Sequence, residues 1–229
     1  MSAGRFRERL LDRAGLAHVT LTIPAIERLE TYYFLLSRWH KKINLTGLPL
    51  DSLDDRALDR VLVEPLVAAM YMRDSAFDWF DLGSGGGTPA IPMKIVRPSA
   101  RLTLVEARSR KASFLREVAR ELTLSDVLVI ADRFETTAGR PELVGSADLV
   151  TVRAVRTDAA LFGAARRLAR ADAELHLFAT KGAPAPASEL FGLTRTVELI
   201  PGGQSELLIL TPKPLVSRGT QGRNLTKGA

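Results

Sequence analysis

The 229-residue sequence contains no cysteine. Disulfides, thiolate nucleophiles and cysteine-ligated zinc are therefore excluded. Its three histidines, His18, His40 and His176, lie too far apart for an H-x-x-x-H or H-x-H pair, so no metal site is expected. No apolar run is long enough to cross a bilayer. The opening MSAGRFRERLLDRAGL is charged and lacks the apolar stretch of a signal peptide. These absences lead to the expectation of a soluble, cytoplasmic protein with no membrane partner, in keeping with a reducing compartment.

A broad excess of one charge is missing too. The formal net charge is +6, but four of those charges fall in residues 213–229, which hold no acid. The rest of the chain is nearly balanced, so total charge argues little for nucleic acid. Local clusters have to carry that argument: Arg38/His40/Lys41/Lys42, Arg108/Arg110/Lys111, Arg153/Arg156 and Arg166/Arg167/Arg170.

What is present is ordinary globular composition, 46% hydrophobic and 25% charged, in a pattern that changes once. Ile26, Leu29, Tyr33, Leu36 and Trp39 recur at helical spacing over 22–43, with Thr22 as N-cap and Pro24 in the first turn. A shorter helix is predicted at 2–17. A third is predicted over 52–71, kinked or broken at Pro65. From Phe77 onward short apolar runs appear at 77–83, 101–107, 126–132, 147–155, 173–182, 194–200 and 206–213. They read as buried strands separated early on by helices at 110–124 and 158–170, the latter capped by Thr157 or Asp158. This alternation predicts an α/β fold with a mostly parallel sheet and helices on both faces. The last two runs are predicted to form a hairpin at the sheet edge. Three regions result: a helical 1–75 packed on the alternating domain, that α/β domain at 76–212, and a basic, mobile tail 213–229.

The first strand runs into Asp81-Leu-Gly83-Ser-Gly85-Gly-Gly87-Thr88-Pro89. A glycine-rich turn between a buried strand and a helix lets a ligand approach the main chain near the positive end of the helix dipole. The dinucleotide fingerprint G-x-G-x-x-G meets Thr88 at its sixth position counted from Gly83; counted from Gly85 it meets Ala90, which that position accepts, but this register survives only if its middle is ignored. D-x-G-x-G-x-G fits instead, on Asp81, Gly83, Gly85 and Gly87. Glu106 ends the second strand, where a carboxylate can accept ribose hydroxyls. Asp132, Phe134 and Glu135 follow the third strand, and spacing alone does not choose among them.

The loop resembles motif I of class I S-adenosylmethionine-dependent methyltransferases. The stretches WHKKINLTG (39–47), FDLGSGGGTPAIPMKIVRP (80–98), LVEARSRKASFLREVARELTL (104–124), VTVRAV (150–155) and ATKG (179–182) narrow the likeness to the RsmG (GidB) family. That resemblance implies the class I Rossmann-like fold with about seven strands and S-adenosyl-L-methionine as cofactor. It implies N7-methylation of a guanosine, conventionally numbered 527, in the 530 loop of 16S rRNA. The partner would be 16S rRNA or the small ribosomal subunit, and the chain is expected to act as a monomer. Carried over by position, the cofactor contacts are Asp81, Gly83, Gly85, Gly87, Thr88, Glu106, Phe134, Glu135 and Arg153. Arg153 would position substrate or cofactor, with an ion-pairing arginine at a strand end as the competing reading. RNA-contact candidates are Asn44, Thr46, Arg108, Arg110, Lys111 and Lys181; Asn44 and Thr46 also suit a helix-junction cap.

The sequence departs from the family in three places. Thr88 stands where a hydrophobic residue is usual, and so offers less packing surface to the cofactor. Ala90 stands where glycine is usual, and adds a methyl group close to the loop. Arg60-Val-Leu-Val-Glu-Pro replaces R-H-x-x-D-S. Guanine N7 carries a lone pair and no proton, so in-line attack needs no general base, and the sequence shows no strong acid–base constellation. A methyltransferase with another acceptor, or a non-catalytic ribosomal RNA-binding protein, remains the alternative at this level.

Overall fold

A computed structural model describes residues 3–214. The tail assigned to 213–229 lies outside the described residues apart from Lys213 and Pro214. The helical front consists of α1 (Ala3–Leu16), α2 (Ile23–His40), α3 (Asp55–Leu58), a π-helical turn (Asp59–Val63) and α4 (Glu64–Ala69). The alternating part follows as β1 (Asp78–Leu82), α5 (Ala90–Val96), β2 (Arg101–Val105), α6 (Ser109–Glu121), β3 (Val127–Ile130) and α7 (Phe134–Ala138). It closes with β4 (Ala147–Arg153), α8 (Ala159–Leu168), β5 (Ala169–Thr180), β6 (Phe191–Glu198) and β7 (Ser205–Pro212).

The strand order is β3-β2-β1-β4-β5-β7-β6. Neighbours pair in parallel, except that β7 runs antiparallel to both β5 and β6. The predicted terminal hairpin forms, with its second strand inserted beside β5 and its first at the edge. Alternation along each strand feeds two cores. Trp79 of β1 and Leu102 and Leu104 of β2 meet Leu29, Leu66, Ile91 and Phe114 from the helices on one face. Phe80, Leu82, Val150, Val152 and Leu175 meet Leu161, Phe162 and Leu168 of α8 on the other. The first core runs without interruption from α1 into the sheet.

Local chemistry explains most boundaries. The Thr22 hydroxyl accepts from the Ala25 amide, and Pro24 occupies the first turn of α2. Asp158 rather than Thr157 caps α8, accepting from the Ala160 and Leu161 amides at 3.1 Å. Helix α8 stops at Leu168 instead of reaching Arg170, because the chain enters β5 at once. Arg170 therefore lies on a strand, paired with Asp148 at 2.5 Å and Asp78 at 3.1 Å at the end of the sheet remote from the glycine turn. The expected Arg166/Arg167/Arg170 cluster is thus split. Trp39 packs on Phe114, with ring centroids 5.6 Å apart, as a core residue.

The break predicted at Pro65 takes a particular form. Proline has no N–H to give the Val61 carbonyl. In the π-turn the Glu64 amide bonds the Asp59 carbonyl instead of that of Arg60. Arg60 and Val61 thereby present carbonyls that lack their usual helical donors.

Buried hydroxyls tie the helical layer to the connector after α2. Tyr33, fully buried, donates to the Leu50 carbonyl at 3.0 Å, and burial pushes its phenol up to about 12. Tyr33→Phe leaves that carbonyl without a donor. The variant is expected to lose ~1–3 kcal/mol, a fall in Tm of roughly 3–10 °C for a chain of this size, measured by thermal melting. An unchanged Tm would show that the connector is held by other contacts.

Candidate functional site

The glycine turn is fixed from three sides. The Gly83 and Ser84 amides both donate to the Val105 carbonyl of β2, at 2.9 and 3.1 Å. The Tyr32 hydroxyl of α2 donates to the Gly86 carbonyl at 2.7 Å, and burial raises that phenol's pKa so that it stays a donor. Gly86 also backs onto Leu36 and onto Leu45 of the N-L-T stretch. Gly87 has φ +86°, and a Cβ there would lie 2.7 Å from the Ile91 side chain. It lets the turn and α5 close on each other. Gly85 differs: its φ is +55°, yet a Cβ would find nothing nearer than the Gly83 carbonyl oxygen at 3.7 Å. Its missing side chain leaves open space above the turn.

Glu106 faces that space from the end of β2. One carboxylate oxygen accepts the Gly85 amide and the other the Arg108 amide, each at 2.8 Å. A carboxylate oxygen has two lone pairs, so both can still accept a hydroxyl. After β3, Asp132 is engaged by the Arg133 amide at 2.8 Å and by Arg140 at 2.9 Å. Phe134 is half-buried and Glu135 exposed, and no partner to the Glu135 carboxylate is found among the described residues. Of the three residues that spacing left open, Asp132 is held by ordered partners, Phe134 offers a half-buried ring and Glu135 an exposed carboxylate.

Asp81 lies below the turn rather than in it. It is buried, accepts the Thr151 hydroxyl at 2.5 Å, and Thr151 in turn accepts the Trp79 indole N–H at 2.9 Å. Burial pushes this carboxyl up to about 6, against the opposing hydrogen bonds. Its backbone carbonyl also accepts the Ser84 hydroxyl at 3.0 Å. A carboxylate so enclosed acts on a ligand through the turn, not by contact.

Arg153 ends β4, and here the ion-pairing reading describes the geometry. Its guanidinium is buried, paired with the equally buried Glu64, and stacked 5.1 Å over the Phe178 ring. It also donates at 2.5 Å to the Arg60 carbonyl freed by the π-turn. Desolvation lowers its pKa to about 10, so it remains charged at neutral pH. The Thr88 hydroxyl donates to the second freed carbonyl, Val61, at 3.0 Å. The departure at Thr88 is thus matched by the departure at Pro65. Ala90 is fully buried at the start of α5. Beyond Arg153, Ala154 adopts φ +56°, a conformation uncommon outside glycine, and Val155 packs behind Gly83.

The expected RNA contacts differ in what holds them. Arg108 and Arg110 are exposed and Lys111 half-buried, about the first turn of α6. The Thr46 hydroxyl accepts the Leu48 amide at 3.2 Å, a turn role, while Asn44 is exposed. Lys181 is paired with Glu198 at 2.6 Å. Glu64, Tyr32 and the Arg60 carbonyl were missed by the sequence reading, and only Pro65 within a helical pattern pointed toward them. Among the described residues no group of three or more His, Asp or Glu is placed to hold a metal, and no helix is long and apolar enough to cross a membrane.

Residues 25–198 match the family model described as "GidB: rRNA small subunit methyltransferase G". A ribosomal RNA small subunit methyltransferase G of Klebsiella pneumoniae (strain 342) is 32% identical over 216 residues, 90% of this chain and 96% of that one. One of Ectopseudomonas mendocina (strain ymp) is 35% identical over 217 residues, with the same two shares. Among solved structures, MtNAS in complex with MTA and tNA superposes with TM-score 0.58 at 17% identity, over 82% of this chain and 73% of that one. A SAM-dependent methyltransferase from Aquifex aeolicus gives 0.52 at 13%, over 70% and 94%. At such identities the likeness establishes the fold, that of class I methyltransferases.

Two outcomes test the site's construction. The raised Asp81 pKa means that the folded state binds this proton more tightly than the unfolded chain. The cost of ionising Asp81 in the fold is absent below about pH 4 and grows to on the order of 3 kcal/mol above pH 6. Asp81→Asn is therefore expected to gain stability over the parent as pH rises from 4 to 7, read as the difference in Tm; a constant difference contradicts this. Gly87→Ala is expected to lower Tm through both φ and contact, whereas Gly85→Ala costs only about 1–2 kcal/mol of backbone strain and chiefly impairs ligand binding, followed by calorimetric titration.

Proposed function

The chain belongs to the rRNA small subunit methyltransferase G family, and on that premise we propose that it transfers the methyl group of S-adenosylmethionine to N7 of a guanosine in the 530 loop of 16S rRNA. The observation that carries the cofactor half of this reading is the open space above Gly85, flanked by Glu106. Its residues fit the molecule. The turn admits a ligand against the main chain, Glu106 retains lone pairs for two ribose hydroxyls, and Phe134 and Glu135 border the adenine end. Gly83, Gly87, Thr88 and Asp81 shape the turn from below or behind. When bound, S-adenosylmethionine supplies an electrophilic methyl group.

The chain's own task is alignment. N7 has an in-plane lone pair and no proton, so no side chain has to remove one, and effective molarity supplies the acceleration. Arg153 is a positioning residue: held by Glu64 and the Arg60 carbonyl, it sets the end of β4 from which Ala154 and Val155 lead past the turn. Asn44, Arg108, Arg110 and Lys111 are candidates for phosphate contact around the same edge.

The direct test is transfer of labelled methyl from S-adenosylmethionine to unmethylated small subunits, with naked 16S rRNA alongside and the label mapped to nucleotide and atom. A single N7-methylguanine in the 530 loop is expected. Cofactor binding without transfer to either substrate would point to another acceptor, and no cofactor binding would remove the reading. Arg153→Ala leaves Glu64 buried with only Arg60 at 3.7 Å as a countercharge, and is expected to lose about 3–5 kcal/mol. The double variant Arg153→Met/Glu64→Leu restores an apolar fill and is expected to regain much of that stability while its kcat stays low. Full activity in the double variant would sink the positioning role.

A further inference from the structure

The ligand edge of the sheet divides in two. Glu106 on β2 and Phe134–Glu135 after β3 commit the β1–β3 half to the proposed cofactor. In the other half, a cleft of about 460 Å³ lies between the π-turn and the β6–β7 connection, lined by Arg13, Arg56, Asp59, Arg60, Glu64 and Ser205 among others. It opens at the C-terminal end of β5 and the start of β7, two to three strands along from the glycine turn, or on the order of 10–15 Å at ~4.8 Å per strand. Arg60 joins the two halves. Its main-chain carbonyl is taken by Arg153, while its guanidinium reaches into the cleft to the Ser205 hydroxyl at 2.5 Å.

The charges in the cleft do not cancel. Both carboxylates are already matched: Asp59 by Arg13, through contacts of 2.8 and 2.5 Å, and Glu64 by Arg153 from behind the cleft. Arg60 is left with Glu64 at 3.7 Å and a neutral hydroxyl. Arg56, on α3, is exposed and pairs with no carboxylate among the described residues. Two guanidinium groups thus remain in excess in a concave site, and the planar guanidinium fork is the side chain that matches phosphate oxygens. The far wall is anchored, since the Lys181 amide donates to the Gln204 carbonyl at 2.9 Å and fixes the β6–β7 connection to the end of β5.

We propose that this cleft is a phosphodiester subsite for the acceptor RNA, in which Arg56 and Arg60 hold a backbone phosphate near the target nucleotide. This rests on the RNA-acceptor reading above. It places the RNA backbone across the β5–β7 end of the sheet, on the far side of Arg153 from the cofactor.

The test is equilibrium binding of a labelled 16S rRNA fragment containing the 530 loop as a function of KCl, with methyl transfer measured in parallel. Among the described residues the Arg56 side chain has no hydrogen-bond or ion-pair partner, so Arg56→Ala is expected to keep the parent Tm. It is expected to weaken RNA binding roughly 3- to 10-fold at moderate salt and to lower the salt slope by about 1. Arg56→Glu is expected to weaken binding further. Arg28→Ala, an exposed arginine on α2 at the opposite end of the sheet, is the control and should bind as the parent does. Unchanged affinity and slope in Arg56→Ala would overturn the subsite, and so would an equal loss in Arg28→Ala. If the parent itself neither binds nor methylates the RNA, the functional reading fails and the subsite with it, an outcome distinct from failure of the variants alone.

Discussion

A helix that cannot complete its own hydrogen bonds organises the ligand edge of this protein. Pro65 removes one donor and the π-turn redirects another, so the carbonyls of Arg60 and Val61 face the sheet without their helical partners. Arg153 takes the first and Thr88 the second. Glu64, one residue before the proline, supplies the countercharge that makes a buried guanidinium tolerable. Unpaired, either charge would be expensive in that position. Three segments far apart in the chain, the helical front, the glycine turn and the end of β4, are thereby fixed by one local irregularity.

Much of this was legible in the sequence, for physical reasons that differ by element. The strands announced themselves because both faces of the sheet are covered, and doubly buried strands are short continuous apolar runs. The weakest of them, β3, is an edge strand and only half-buried. The glycine turn was readable because positive φ and close approach restrict the choice of residue. Glu106 was readable because the end of β2 is fixed relative to that turn. Arg170 was misplaced because nothing in its neighbourhood marks the direct passage from α8 into β5; no turn residue intervenes.

The elements that escaped are those whose meaning depends on a distant partner. Nothing about Glu64 or Tyr32 in isolation separates a residue that braces the site from one that merely fills a helix face. Their partners, Arg153 and the Gly86 carbonyl, lie 89 and 54 residues away. Pro65 did signal an irregularity, but which groups answer the freed carbonyls is decided by tertiary packing. Burial likewise reassigned Asp81, since the same motif residue can touch a ligand or brace a turn depending on which way its strand faces.

The continuity of the first core has a consequence for how the chain comes to be folded. Its helical layer is made first during synthesis, yet the surface it packs on, from Trp79 through Leu104 to Phe114, emerges only later. Until then α1 to α4 hold an apolar stripe with nothing to cover it, a state exposed to misassociation. The helical front therefore waits for β1 and β2. The two parts of the chain gain their stability together, with the site assembled where they meet.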